Sequence, residues 1–204
     1  MTWRTIPNDN KLSAKSILKR GFKSNAEKLA KQFRENLDIH PCAPLCAFKL
    51  AEYLDIPVYP ATDFLSLTED INQLSGSDGT DCEWSALTMT TKVGNKIIIH
   101  NPFHSKVRQQ SNIMHELAHH ICKHVRYQEV YDFEIPFGMR HFDELQEEEA
   151  KCLGSTLLLP TPCLLWARKN RMTKEAIGNY FSASKDMVIY RMNMTGIYKQ
   201  TPFF

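Results

Sequence analysis

The residues best suited to chemistry are two histidines four positions apart, His115 and His119, in the segment HELAH. Residues at this spacing lie on one face of a helix, so both imidazole rings can bind one Zn²⁺ at about 2.0–2.1 Å. Glu116 would lie beside the metal as a general base, where its carboxylate can take a proton from a zinc-bound water. The alternative is a charged surface helix with two solvated histidines, and the motif alone leaves both interpretations open.

A catalytic zinc needs a third protein ligand and keeps one position open for water. The acidic run DELQEEE at 143–149 offers candidates on a second helix. Glu147, Glu148 and Glu149 differ in direction by about 100° from one residue to the next, so only one can point squarely at the metal. The spacing leaves the choice among them open, and the run could also be a solvated helix face.

Helices and a small sheet must position these residues. The motif lies in a helix predicted from Ser105 to near His124, directly after a predicted hairpin with strands at 83–91 and 96–101. The layout is α+β, with helices around a small antiparallel sheet beside the motif helix. Further helices are predicted over 22–37 with Ser24 as N-cap, over 44–56, from 67 to the loop SGSDGTD (75–81), and over 147–160, 173–181 and 185–194, with one more short strand in 131–137.

Length and composition fit a globular protein of one domain, or one domain with a small appendage. The chain has 204 residues, of which 43% are hydrophobic and 24% are charged. No apolar run approaches the roughly 18 residues of a membrane span, and the N-terminus lacks the apolar region of a signal peptide. We therefore expect a cytoplasmic protein without a membrane partner, whose six cysteines are reduced thiols and not disulfides.

Both ends of the chain are basic. Nine Lys/Arg stand against two acidic residues in 1–34, and seven stand against two in 161–204. Such charge suits a nucleic acid or an acidic partner protein. The Lys/Arg are spread out and not clustered, however, which is also typical of solvated helix faces.

The motif and its surroundings resemble one known family. HELAHHICKH (115–124), followed by EEEAKCLGSTLLLP (147–160), is similar to the ImmA/IrrE family of zinc metallopeptidases, whose pattern is HELGH followed by a helix with E-x-x-A-N. The resemblance covers roughly residues 20–196. It puts the glutamate of that helix at Glu147. Other matching residues are Asn101 and Arg108 before the motif, and Phe181, Ser184, Val188, Arg191 and Met192 after it.

Two positions depart from the family pattern. Ala118 replaces a glycine, which is a mild change on a helix, and Lys151 replaces an asparagine. If that asparagine orients a metal ligand, Lys151 cannot do the same. Catalytic efficiency is therefore less firmly implied than metal binding.

The resemblance implies a zincin-like metallopeptidase core over 1–160, including the N-terminal helices, and a helix-turn-helix-like subdomain over 161–204 that can pack with it. It implies one Zn²⁺ per chain, held by His115, His119 and Glu147. It further implies an endopeptidase that cleaves a helix-turn-helix repressor encoded nearby and so releases gene expression in a stress, phage-defence or mobile-element response. A nucleic acid is a possible activating ligand.

Two other functions compete with this one. The first is a zinc-containing regulator that binds a repressor without cleaving it, although a purely structural site would not need Glu116. The second is a DNA-binding module formed by TKEAIGNYFSASKDMVIYRM (173–192), which has a helix–short turn–helix form. Its second helix is apolar for one that reads the major groove, which favours packing or substrate recognition.

Two predictions concern the cleft beside the motif. The strand at 83–91 is the candidate edge to which an extended substrate adds. Cys82, just before it, could fill the fourth zinc position as an inhibitory thiolate ligand until a partner or ligand withdraws it. The residue that stabilises the oxyanion is left open among candidates that are more simply explained as structural: His104, His120, His124, His141, Tyr127 and Tyr131.

Overall fold

A computed structural model describes residues 17–76, 84–91, 93–124 and 143–197. These residues form an α+β fold in which helices surround a small sheet, as predicted. In chain order the elements are α1 (Phe22–Asn36), α2 (Ala47–Tyr53), β1 (Val58–Pro60), a 3₁₀ turn (Ala61–Phe64), α3 (Thr68–Ser75), β2 (Ala86–Thr90), β3 (Lys96–His100), α4 (Lys106–Ile121), α5 (Glu144–Leu158), α6 (Thr161–Lys169), α7 (Lys174–Phe181) and α8 (Lys185–Thr195).

The sheet of the described residues has three strands in the order β1-β3-β2. The predicted hairpin of β2 and β3 is confirmed, but the prediction of a purely antiparallel sheet is wrong. β1 pairs with β3 in parallel, with Val58 opposite Ile98. The sequence around β1 reads as the end of a helix because of Pro57 and Pro60. At an edge strand, however, a proline can be accommodated without breaking the ladder.

The structure also differs from the predictions at α1 and α6. α1 begins at Phe22, and its N-cap is Gly21 with a left-handed φ of 90°, not Ser24. α6 was not predicted, although Pro162 in its first turn is compatible with a helix. In the first turn of a helix, a proline removes only an N–H that has no partner there. The strand predicted over 131–137 lies outside the described residues.

The motif helix α4 packs between the sheet and α5. Ile113, Met114 and Leu117 of α4 are fully buried in the same cluster as Ile98 of β3 and Leu153 of α5. Burial of such side chains stabilises the fold by about 1.5–3 kcal/mol each. This packing holds the helix that carries HELAH firmly against both neighbours.

α4 and α5 approach each other closely at Gly154. A Cβ at this position would lie 3.2 Å from the carbonyl oxygen of Met114, so a side chain would push the helices apart. Glu147, Ala150 and Gly154 are spaced three and four residues apart and share one face of α5. The face of α5 that packs on α4 is therefore the face that carries Glu147.

A polar network joins α1 to α8. The guanidinium of Arg191 is only 3% exposed, and its Nη2 lies 2.7 Å from a carboxylate oxygen of Glu27. Arg191 Nε also donates to the carbonyl of Leu159, and Glu27 accepts from the backbone N–H and hydroxyl of Thr161. The two ends of the described chain thus meet at the turn after α5. The division of the chain at residue 160 stays a prediction.

One side of α8, the second helix of the α7–α8 pair, is buried in the protein. Met187, Val188, Arg191 and Met192 of α8 are all buried, so these side chains are not available to contact base edges. This arrangement favours a packing role for α8. Within the described residues, no helix combines the length and the apolar composition that a membrane span requires.

Candidate metal centre

Three predicted ligands converge at one point between α4 and α5. His115 Nε2 lies 3.1 Å from Glu147 Oε2, and His119 Nε2 lies 3.1 Å from His115 Nε2 and 3.5 Å from Glu147 Oε1. Atoms that each bind one tetrahedral zinc at about 2.0–2.1 Å lie about 3.3–3.4 Å from one another. The separations among the three residues therefore suit one tetrahedral metal ion.

The charges at this point also suit a cation. The hydrogen bond with His115, followed by the one with His119, holds the pKa of Glu147 well below the ordinary value of a glutamate. The carboxylate is consequently ionised at neutral pH. Each ring nitrogen beside it offers a lone pair to a metal in the tautomer that carries its proton on Nδ1. Two imidazoles and one carboxylate are a common donor set for catalytic zinc.

The face of α5 decides which of the three glutamates belongs to this cluster. Glu147 points at the two histidines, in line with Gly154 on the side that packs against α4. Glu148 points outward and lies 3.5 Å from Lys151 Nζ. Glu149, which the sequence left open as a third ligand, contacts His124 instead, at 3.0 Å. Lys151 thus pairs with Glu148.

His124 lies directly behind the ligand His119. The Nδ1 atoms of the two rings are 2.8 Å apart, and His124 Nε2 is 3.0 Å from Glu149 Oε2. Burial lowers the pKa of His124, which favours its neutral form. Sequence reasoning named His124 only as a candidate for stabilising an oxyanion, and its contact with a ligand was missed.

Glu116 is buried between α4 and the sheet, with 3% of its surface exposed. One of its carboxylate oxygens accepts from the backbone N–H of Thr88 at 3.0 Å and from the hydroxyl of Thr88 at 2.6 Å. Thr88 lies in β2, the edge strand predicted to bind a substrate. Sequence reasoning missed Thr88, since no local pattern connects residues 28 positions apart.

Other predicted residues have different surroundings. The ring nitrogens of His104 lie 3.4 Å from the side-chain amides of Asn101 and Asn112, so this ring joins the loop before α4 to that helix. Burial, and then the charge of Lys96, lowers the pKa of His120. Cys82, Tyr127, Tyr131 and His141 lie outside the described residues.

Asn101 and Arg108 organise the approach to α4. The side-chain amide of Asn101 donates to the carbonyl of Leu74, and its oxygen accepts from the backbone N–H of Phe103. Arg108 Nη2 lies 3.4 Å from the hydroxyl of Ser85. These contacts join the ends of α3, β2 and β3 to the start of the motif helix.

Comparison with known protein families gives a match over the second part of the chain. The Peptidase_M78 model, described as an IrrE N-terminal-like domain, matches residues 73–193, which is more than half of the chain. The matched range contains α4 and α5 with all three residues of the cluster, together with Glu116. No curated protein matches the chain.

Proposed function

The chain belongs to the Peptidase_M78 family, of the IrrE/ImmA type, and on that premise we propose that it is a zinc-dependent endopeptidase that cleaves a partner protein. The observation that carries the proposal is the convergence of His115, His119 and Glu147 at separations suited to one tetrahedral ion. Glu116, next in the chain to His115, supplies the carboxylate that hydrolysis needs in addition to a metal.

Each residue has a defined task in this mechanism. His115, His119 and Glu147 would hold the ion, which would polarise the scissile carbonyl and lower the pKa of a water molecule to about 7. Glu116 takes a proton from the attacking water and passes it to the leaving amine. The two hydrogen bonds from Thr88 hold the Glu116 carboxylate in one orientation. The side chain therefore loses less conformational entropy when it reaches the geometry of the reaction.

The substrate is proposed to bind as an extended strand along β2. The N–H of Ile98 donates to Pro57 on the β1 side, so Thr88, which lies opposite Ile98, directs its own N–H to the outer edge of β2. A peptide added at this edge would run beside Glu116, which already contacts Thr88 there. The contact between Thr88 and Glu116 supports a substrate strand that binds along β2 beside the proposed base.

The proposed substrate is a helix-turn-helix repressor encoded near this protein, cleaved in the cytoplasm to release gene expression in a stress, phage-defence or mobile-element response. A nucleic acid is proposed as a possible activating ligand. These biological proposals follow from the resemblance to the ImmA/IrrE family and from the basic ends of the chain.

Metal removal tests the enzymatic proposal. The purified protein should carry about one Zn²⁺ per chain and cut the neighbouring repressor, and a chelator should abolish cleavage until zinc is restored. Cleavage that persists without metal would contradict the proposal. Repressor binding without cleavage would favour the non-proteolytic regulator, and a gel shift with duplex DNA would favour the DNA-binding module.

The role of Cys82 stays a prediction with its own test. If its thiolate occupies the fourth zinc position, Cys82→Ala should raise the basal rate of partner cleavage without inducer and leave the zinc content unchanged, because the three ligands at 115, 119 and 147 remain. Cys46→Ala is a matched control, because Cys46 is a free cysteine before α2. Equal basal rates for Cys82→Ala and wild type would rule out this form of inhibition.

A further inference from the structure

We propose that His124 and Glu149 are positioning residues that orient the ring of His119 for zinc and so set the affinity of the site. The inference rests on the proposed function, since it takes His119 as a zinc ligand. The contacts form a continuous series: Glu149 Oε2 to His124 Nε2 at 3.0 Å, then His124 Nδ1 to His119 Nδ1 at 2.8 Å. We refer to this series as the His124–Glu149 relay.

The proton positions in the relay follow from what each atom can donate. A carboxylate only accepts, so His124 Nε2 must carry the proton that it shares with Glu149. In a neutral His124 the Nδ1 atom then accepts, and the proton between the two rings belongs to His119 Nδ1. His119 is left with its lone pair on Nε2, the atom that faces His115 and Glu147. The relay thus selects the tautomer of His119 that binds a metal.

The backbone holds His124 in place for this contact. α4 ends at Ile121, and Lys123 has a left-handed φ of 55°, which turns the chain back over the last helical turn. The N–H of His124 then donates to the carbonyl of His119 at 3.1 Å. His124 is therefore connected to His119 through both its backbone and its side chain. The two connections together fix the position of the His124 ring relative to His119.

Burial makes the relay more effective. The side chains of His124 and Glu149 are only 7% and 13% exposed, so water competes little for their hydrogen bonds. Glu149 also lies two residues after Glu147 on α5. One helix thus supplies a metal ligand directly and supports a second ligand, His119, through the relay.

The test is zinc affinity, measured by competition with a chromophoric chelator of known affinity. His124→Leu and Glu149→Leu should each weaken zinc binding by about 10–100-fold, the usual loss when a partner that orients a metal ligand is removed. Glu148→Gln is the matched control and should change affinity by less than about twofold, since Glu148 lies outside the relay and pairs with Lys151. His124→Gln should regain part of the loss, because an amide can accept from His119 and donate to Glu149.

Two further measurements distinguish a loss of His119 orientation from a general loss of structure. The double variant His124→Leu/Glu149→Leu should lose less zinc affinity than the product of the two single fold-changes, because both substitutions interrupt the same series of hydrogen bonds. In ring-nitrogen NMR of the zinc-loaded protein, the Nδ1 proton of His119 should exchange slowly with water in wild type and rapidly in His124→Leu.

The outcomes distinguish the relay from the metal site itself. Wild-type affinity in folded His124→Leu and Glu149→Leu would overturn the relay and leave the metal centre intact. If His124→Leu does not fold, the comparison of His124→Gln and Glu149→Leu with Glu148→Gln decides in its place. Absence of zinc binding in wild type and Glu148→Gln would overturn the proposed function instead.

Discussion

Alanine at His115 or His119 should weaken zinc binding by about 10²–10³-fold. A four-ligand structural site binds zinc with about 10–16 kcal/mol, so one ligand contributes about 2.5–4 kcal/mol. Each ring nitrogen lies within 3.5 Å of the two other ligand atoms, so no ligand of the cluster is peripheral. The measurements are elemental analysis of the purified variants and competition with a chelator.

The control for these variants is His120→Ala, which removes the neighbouring histidine of the same helix. The Nδ1 atom of His120 has no hydrogen-bond partner among the described residues, so this nitrogen supports none of the three ligands. Glu147→Gln should weaken zinc binding about as much as His115→Ala and His119→Ala do, whereas Glu148→Gln should bind zinc as wild type does. A full complement of zinc in His115→Ala or His119→Ala would show that the ion binds elsewhere.

Glutamine at Glu116 should lower the rate of partner cleavage by about 10²–10⁴-fold with zinc content unchanged. An amide cannot accept the proton of the attacking water at neutral pH, and general base catalysis typically contributes that factor. The amide oxygen can still accept both hydrogen bonds from Thr88, so the contact between α4 and β2 should survive. Single-turnover cleavage of the repressor and the thermal unfolding midpoint measure the two effects separately.

The comparison that isolates the base uses the same substitution at Glu148. That residue is also a glutamate beside the site, but it pairs with Lys151 and should be replaceable by glutamine without loss of cleavage. If Glu116→Gln cleaved at the wild-type rate, the general base would have to be another residue.

Local geometry explains which parts of the site could be predicted. His115 and His119 are related by one helical turn, a spacing that any helix of this sequence preserves. Selecting Glu147 required the family resemblance, because the direction of a residue on α5 depends on which face meets α4. The structure supplies the physical reason in the close approach of Gly154 to Met114. Thr88 was missed because its contact with Glu116 depends on how the sheet packs on α4.

The same distinction applies to the fold. The β2–β3 hairpin was predictable because its strands are joined by a short turn at Gly94. β1 was missed because it is three residues long and pairs in parallel with a strand some 40 positions away, which leaves no periodic signal. The prolines at 57 and 60 were interpreted only as the end of a helix, although an edge strand tolerates them.

The Glu27–Arg191 pair bears on how much chain this protein needs to fold. The family match begins at residue 73, but the carboxylate that neutralises Arg191 comes from α1, far upstream of it. A chain shortened to the matched range would leave a buried guanidinium without its counter-charge, at a cost of about 3 kcal/mol. That cost is a large fraction of a typical folding free energy of about 5–15 kcal/mol. The range that the family model matches is therefore smaller than the range whose contacts stabilise the fold.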